Sequence, residues 1–473
     1  MQNFNRRDFL KISAVATASA SLPHAVSALA SDSPSGNVSV WTTAGSQKHA
    51  KLPSLEWKKL DKRATNLITV DPAEQYQQVL GFGAAFTDAA CYTLSRLEPS
   101  VRQELFHNLF HPSAIGLSAS RVCMGASDYS RNVYSYSEGS EPDPEMTRFS
   151  IAHDREYILP ILREARAANP DMWLLASPWS PPGWMKFNNS MLGGSMRRKW
   201  LGAYAKYFDK FLAAYVAEGV KINSVTPQNE VDTDQDGKMP ACIWAQEYEI
   251  EFVRDHLGPA LAKSSDSADI WVLDHNYNLW GRAIGELEDP GAKKFIKGVA
   301  WHGYVGTPDA MTHVKKHFPD VDMFWTEGGP DFDTPGYETE WAKWSTQFTS
   351  ILRNWSRSII AWNYALDEKG KPNIGPFNCA GLVTVHSATR ELTYSGQYWA
   401  MQHFSQHIQR GAKILKSTGG AEVQHVVARN TRGGYVAVLT NSAKSPATAN
   451  IAVGNSMVSI ELPSDSVTTL EWS

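Results

Sequence analysis

The sequence predicts an α/β protein: a (β/α)8 TIM barrel with an associated discontinuous antiparallel β-sandwich domain. Three observations predict it. Short apolar runs alternate with amphipathic segments from about residue 78 to about residue 400. Most of those runs end in a polar or aromatic residue, as helix-covered strands do when their carboxyl ends carry a site. Short β-rich runs separated by Gly, Asn, Ser and Pro flank this region on both sides.

The first segment lies outside the fold. "NRRDFLK" (Asn5 to Lys11) precedes a moderately apolar run rich in Ser and Thr, with small residues at Ala28 and Ala30. This resembles a twin-arginine export signal over residues 1–30, and the run is too short and hydroxylated for a membrane span. The mature protein is therefore expected in the periplasm or outside the cell, with no transmembrane segment. Residues 31–77 carry "NVSVWTTA" and "NLITV", which are strand-like but too early for the barrel. So short a segment would struggle to bury a core alone. Its strands are expected to join residues 405–473, where "VQHVVARN", "GYVAVLTNS", "TANIAV" and "VSIELPSDSVTTLEW" read as β.

Residues 78–404 hold the eight barrel strands: "QVLGFGAAF", "LSASRVCM", "DMWLLASPW", "INSVTPQNE", "DIWVLDHNY", "IKGVAWHGY", "VDMFWTEGG" and "SIIAWNYAL". The segments between them read as helices. Val101, Leu105, Phe106 and Leu109 fall at helical spacing. "HDREYILPILREARAAN" is helical, with a kink expected at Pro160. Leu201, Tyr204, Phe208, Phe211, Leu212 and Tyr215 form one helical face that Gly219 terminates. "WAKWSTQFTSILRNW" is another helix before the last strand. "GFGAAF" lacks the spacing of a dinucleotide fingerprint, and the chain contains no P-loop, which disfavours a doubly wound sheet.

Composition narrows the function. The chain has 473 residues, 42% hydrophobic content and a formal net charge of -4. That balance offers no basic footprint for nucleic acid. Cys91, Cys123, Cys242 and Cys379 are scattered and form no CxxC. Buried free thiols are expected rather than a disulfide scaffold or a zinc site. Oligomeric state has no signature in the sequence.

A TIM barrel forms its site at the carboxyl ends of the strands. In order, those ends supply Asp88, then Arg121 with Asp128 in its loop, Trp179 and Trp184, Asn229 with Glu230, Asp274 to Asn276, His302 and Tyr304, Glu327, and Trp362 with Asn363. Two glutamates from well-separated strands meet the requirement of glycosidic cleavage, where one carboxyl protonates the leaving oxygen and the other attacks the sugar or activates water. Tryptophans suit the apolar faces of sugars. Asp274, His275 and His302 raise a metal alternative, but no HxH at strand one and no strand-end lysine support it. No metal and no cofactor are expected in the reaction.

The motifs "GFGAAFTDAA", "ASPWSPPGWMK", "TPQNE", "WHGY" and "WTEGG", in that order, resemble glycoside hydrolase family 30, with bacterial glucosylceramidase-like proteins nearest in pattern. The resemblance covers essentially the whole mature chain. It implies retaining chemistry with Glu230 as acid/base and Glu327 as nucleophile. It further implies that Asp88, Trp179 and Asn229 hold the terminal sugar, that Trp362 stacks on it and that Asp128 borders it. Arg121 would support the nucleophile, with His302 and Tyr304 beside it. Val231, Gly303 and the Gly328–Gly329 pair depart from the pattern of many relatives and loosen only the inference about the group beyond the first sugar. The leading expectation is an exo-acting β-glucosidase of glucosylceramidase type acting on a carbohydrate or glycoconjugate. An endo-acting β-1,6-glucanase, or a β-xylosidase or β-fucosidase, is the alternative. A glycan-binding protein with a decayed site is the third class, and the presence of both glutamates weighs against it.

Overall fold

The structure is a computed structural model that describes Pro34 and residues 36–473. The export signal expected over residues 1–30 lies outside the described residues. Four strands come first: β1 (Asn37–Ala44), β2 (Gln47–Glu56), β3 (Lys58–Lys59) and β4 (Leu67–Gln78). The barrel follows as β5 (Gly81–Phe86), β6 (Ala119–Cys123), β7 (Trp173–Ser177), β8 (Ser224–Val225), β9 (Asp269–Asn276), β10 (Ile296–His302), β11 (Asp322–Glu327) and β12 (Ser356–Ala361). These eight close in sequence order, every pair parallel, with β12 pairing back to β5. Each of the eight expected strands is present.

Close packing of the strands constrains individual residues. A Cβ on Gly83 of β5 would lie 2.0 Å from the Ala119 carbonyl oxygen, so only glycine allows that approach. Inside the barrel, Trp271 of β9 and Phe324 of β11 stack with centroids 3.6 Å apart, and Leu175 and Ala300 join their apolar cluster. These residues precede the polar strand ends, so the barrel is plugged beneath the site.

The helices follow the apolar periodicities. The helix Leu201–Ala217 buries all six residues of its predicted face, and Gly219 follows at φ 77°. The expected kink at Pro160 is absent. The helix there begins at Ile158, so Pro160 lies in its first turn, where a missing N–H leaves no bond unmade.

Beyond the barrel come a small sheet of β13 (Ala365–Leu366), β14 (Val383–Val385) and β15 (Leu392–Tyr394), then β16 (Lys413–Gly419), β17 (Gln424–Arg429), β18 (Tyr435–Asn441), β19 (Ala447–Val453), β20 (Ser456–Leu462) and β21 (Ser466–Trp472). Strands β16 to β21 join β1 to β4 in one sheet of order β2-β1-β21-β18-β17-β16-β4-β19-β20-β3. This is the expected β flank, built as a single ten-stranded sheet that nearly closes over a core including Val38, Ile68, Leu439 and Leu470. Its pairing is antiparallel except between β4 and β19. The run "VSIELPSDSVTTLEW" breaks at Pro463 into two strands. All four cysteines are free and buried. Among the described residues, no helix is long and apolar enough to cross a membrane.

Candidate active site

The strand ends converge on one buried cation. Arg121, fully buried on β6, donates Nη2 to Asp274 Oδ2 at 2.5 Å and to Asn229 Oδ1 at 2.8 Å, and Nε to Ser177 Oγ at 3.1 Å. Its Nη1 donates to Glu327 Oε2. The guanidinium carbon lies 4.6 Å from the Trp179 ring centre. Buried charges persist when paired and hydrogen-bonded, and Arg121 has two carboxylates and four hydrogen bonds, from β7, β9, β11 and the segment after β8.

Two irregularities aim the side chains. On β9 the pairing to β10 runs Leu273 with Ala300 and then His275 with Trp301, so Asp274 is skipped. Leu273 and Asp274 both have positive φ. A regular strand would send Asp274 and His275 to opposite faces, whereas this bulge brings both toward the site. On β11 the pairing skips Thr326. Thr326 Oγ1 then reaches Asp274 Oδ1 at 2.9 Å, while Glu327 faces the cavity. Glu230 itself sits at φ 49° just past β8, with its N–H bonded to the Asp274 carbonyl. Left-handed non-glycine residues persist where surroundings over-determine them, and they concentrate at functional sites.

His302 ties the carboxyls together. Its Nε2 lies 3.0 Å from Asp274 Oδ1 and 3.7 Å from Glu327 Oε2, and its Nδ1 lies 3.2 Å from Glu230 Oε1. Tyr304 donates its hydroxyl to Glu327 Oε1 at 3.1 Å. His275 presents Nδ1 3.6 Å from Glu230 Oε1, and its Nε2 pairs with Asp232. Burial opposes the ionised form of Asp274, yet Arg121 and His302 hold its carboxyl well below the usual range. Burial also opposes a charged His302, but Glu327, Asp274 and Glu230 raise it to about 9. Burial pushes Glu230 up, and the hydrogen bond from His302 with the charge of His275 outweighs it, leaving a net lowering. Glu327 is raised by burial against the pull of His302 and Arg121.

A cavity of about 520 Å³ opens above these groups, the size of a site for a small organic ligand. Trp179 and Trp362 stack at 5.1 Å on its wall. Of the residues expected at the site, Glu230, Glu327, Asp128, Trp179, Tyr304 and Trp362 line the cavity. Arg121, Asn229 and His302 lie buried behind the wall and act through their hydrogen bonds. Asp88 is not on the wall: His153, the Tyr157 hydroxyl and the Arg131 N–H enclose its carboxylate. Asp128 keeps Oδ1 buried without a hydrogen-bond partner among the described residues. The sequence reading passes over Asp232, Gln235 and Phe377, and gives His275 and Cys379 no part in sugar cleavage, yet all five share the wall. His275 had a signal, adjacent to Asp274 at a strand end. Phe377 and Cys379 come from the stretch between β13 and β14 and had none.

A closed parallel barrel whose strand-end carboxylates face an aromatic-walled cavity is the architecture of a glycoside hydrolase. The chain belongs to glycosyl hydrolase family 30: the profile of the family's TIM-barrel domain matches residues 79–408. A twin-arginine translocation signal profile matches residues 3–23, so the protein is exported to the periplasm or secreted. The chain is 30% identical over 396 residues to an endo-1,6-β-D-glucanase of Neurospora crassa, covering 79% of this chain and 81% of that one. It is also 30% identical over 401 residues to putative glucosylceramidase 4 of Caenorhabditis elegans, covering 80% and 76%. A solved endo-β1,6-glucanase superposes with a TM-score of 0.85 at 27% identity, covering 93% of this chain and 100% of that one. The activity is β-glycosidic hydrolysis.

Proposed function

We propose that the protein is a retaining, endo-acting β-1,6-glucanase, with Glu327 as nucleophile and Glu230 as acid/base. The observation that carries the chemistry is the asymmetry of the two glutamates. Glu327 accepts from a guanidinium and a phenol, donors that favour the ionised carboxylate needed for attack and work against the burial that raises it. Glu230 instead faces the His302 ring at 3.2 Å, a titratable partner that can pass it the proton the leaving oxygen needs. Both lean on one imidazole, which supports the close spacing of a retaining pair, about 5–5.5 Å, over the wider gap of an inverting one. Glu327 attacks the anomeric carbon as Glu230 protonates the departing oxygen. Water deprotonated by Glu230 then releases the sugar with its β configuration kept.

The substrate reading rests on the relatives and the rim. An endo-1,6-glucanase is among the curated relatives at 30% identity and among the solved structures at 27%. Around the cavity mouth Tyr304, Val305 and Phe377 are 45%, 51% and 42% exposed. Exposed apolar side chains at a cavity edge suit further sugar rings of a polymer on either side of the cut. The endo reading replaces the exo expectation from sequence, which glucosylceramidase relatives of equal identity keep as the second reading. Parallel digestions of a linear β-1,6-glucan and an aryl β-glucoside, followed by size-resolved sugar analysis, test it. Mid-sized oligomers released early from the polymer are expected. Glucose from the aryl substrate, with the polymer trimmed only at its end, would overturn the endo assignment.

A further inference from the structure

We propose that a zinc-type divalent ion binds across Glu230, His275 and His302 and switches the enzyme off. Glu230, His275 and His302 each offer one ligand atom within 4.8 Å of the others. The individual separations fit an ion. Ligands held about 2.0–2.1 Å from a tetrahedral zinc are roughly 3.3–3.4 Å apart, and here His302 Nδ1 and His275 Nδ1 stand 3.2 and 3.6 Å from the Glu230 oxygen.

A second observation is independent of these distances. His275 is 5% exposed, and its Nδ1 has no hydrogen-bond partner among the described residues. A buried ring nitrogen without a partner leaves a lone pair unused. The far side of each ring completes the pattern: His275 Nε2 pairs with Asp232, and His302 Nε2 with Asp274 at 3.0 Å. Metal-binding histidines characteristically donate their other N–H to a carboxylate, which orients the ring and frees the facing nitrogen. Two imidazoles and one carboxylate suit zinc, or cobalt as its probe, over the all-oxygen preference of calcium and magnesium. Glu230, His275 and Asp232 line the cavity, so the fourth position is open to water or a sugar hydroxyl.

The consequence is inhibition. An ion on Glu230 Oε1 occupies the lone pair that must carry the proton to the leaving group. The site rests on ligand geometry rather than on the substrate assigned above, and its first readout needs no substrate.

The test is a Co²⁺ titration of the full mature protein, followed by visible absorption and calorimetry. One ion per chain with a tetrahedral d–d spectrum is expected, displaced by Zn²⁺. Zn²⁺ should inhibit hydrolysis of an aryl β-glycoside the enzyme accepts, and EDTA should restore it. His275→Ala should abolish the spectrum. Asp232→Asn, on a side chain that is 45% exposed, should weaken Zn²⁺ binding about 10–100-fold. The proposal is overturned by the absence of d–d bands in the wild type, by bands that persist in His275→Ala, or by a thiolate charge-transfer band placing the ion on Cys379. If His275→Ala does not fold, unchanged Zn²⁺ affinity in Asp232→Asn overturns it.

Discussion

At the scale of single residues, the site separates the side chains that react from those that position them. Arg121 never reaches the cavity, yet it fixes Glu327, Asp274 and Asn229 at once. Glu230, the acid/base of the proposed mechanism, has the His302 ring and the Gln235 amide as side-chain partners rather than a guanidinium. Glu230→Ala is expected to slow cleavage of unactivated glucan about 10²–10⁴-fold. The loss should be far smaller with an aryl glycoside whose phenol leaves unprotonated, and azide should intercept the glycosyl-enzyme to give a β-glycosyl azide. Equal losses on both substrates would contradict the role. Both cavity glutamates were legible in the sequence: Glu327 closes β11, and Glu230 follows β8 by the short stretch "TPQN". Asp274 and His275 were visible as strand-end residues but were weighed only for a metal site. Regular alternation lets only one of two neighbours face the site, and the bulge that turns both inward leaves no mark in composition.

At the scale of elements, the loop after β6 is pinned to the helices by a buried acid. Asp154 accepts from the hydroxyls of Tyr134, Tyr136 and Tyr215 at 3.3, 2.6 and 2.5 Å. His153, Cys91 and Tyr207 are the other titratable groups facing it. Burial outweighs those hydrogen bonds and pushes its carboxyl from 3.8 up to about 6. The folded state therefore holds this proton more tightly than the unfolded chain does. The resulting stabilisation is full below pH 3.8 and is lost as pH rises through about 6. The thermal midpoint of the wild type relative to Asp154→Asn should fall across that window and stay level above it. A difference that is flat with pH would refute the assignment. The eight barrel strands and the long helices were legible because burial enforces their periodicity. β2, β3 and β16 were not: β2 is largely polar and exposed, and β3 is two residues long. Short polar strands exist because a neighbour offers an edge, and a local sequence window does not contain that neighbour.

At the scale of the whole molecule, barrel and β flank are joined by buried polar contacts. The Trp341 indole donates to the Asp465 carbonyl at 2.7 Å, Ser345 and Thr440 share a bond of 2.6 Å, and His403 bridges Thr43 and Thr469. β4 runs into β5 with two residues between them. Separating the two parts would strand these groups without partners, at about 1–3 kcal/mol for each. Unfolding by urea is therefore expected as one transition, coincident when followed by tryptophan fluorescence and by far-ultraviolet circular dichroism. Two resolved transitions would mean that the flank is an autonomous passenger. The joining of β1 to β4 to the tail was anticipated because so short a segment cannot bury a core alone. The near-closure of the sheet and its one parallel pair depend on chain path and had no local signal.

The central claim, that Glu327 is the nucleophile of a retaining mechanism, is tested most directly by trapping. An activated 2-deoxy-2-fluoro-β-glucoside slows both steps by destabilising their oxocarbenium-like transition states, and its good leaving group lets the glycosyl-enzyme accumulate. Peptide mass spectrometry is predicted to find one sugar per chain, esterified to Glu327. A label on Glu230 or on any other residue would contradict the claim.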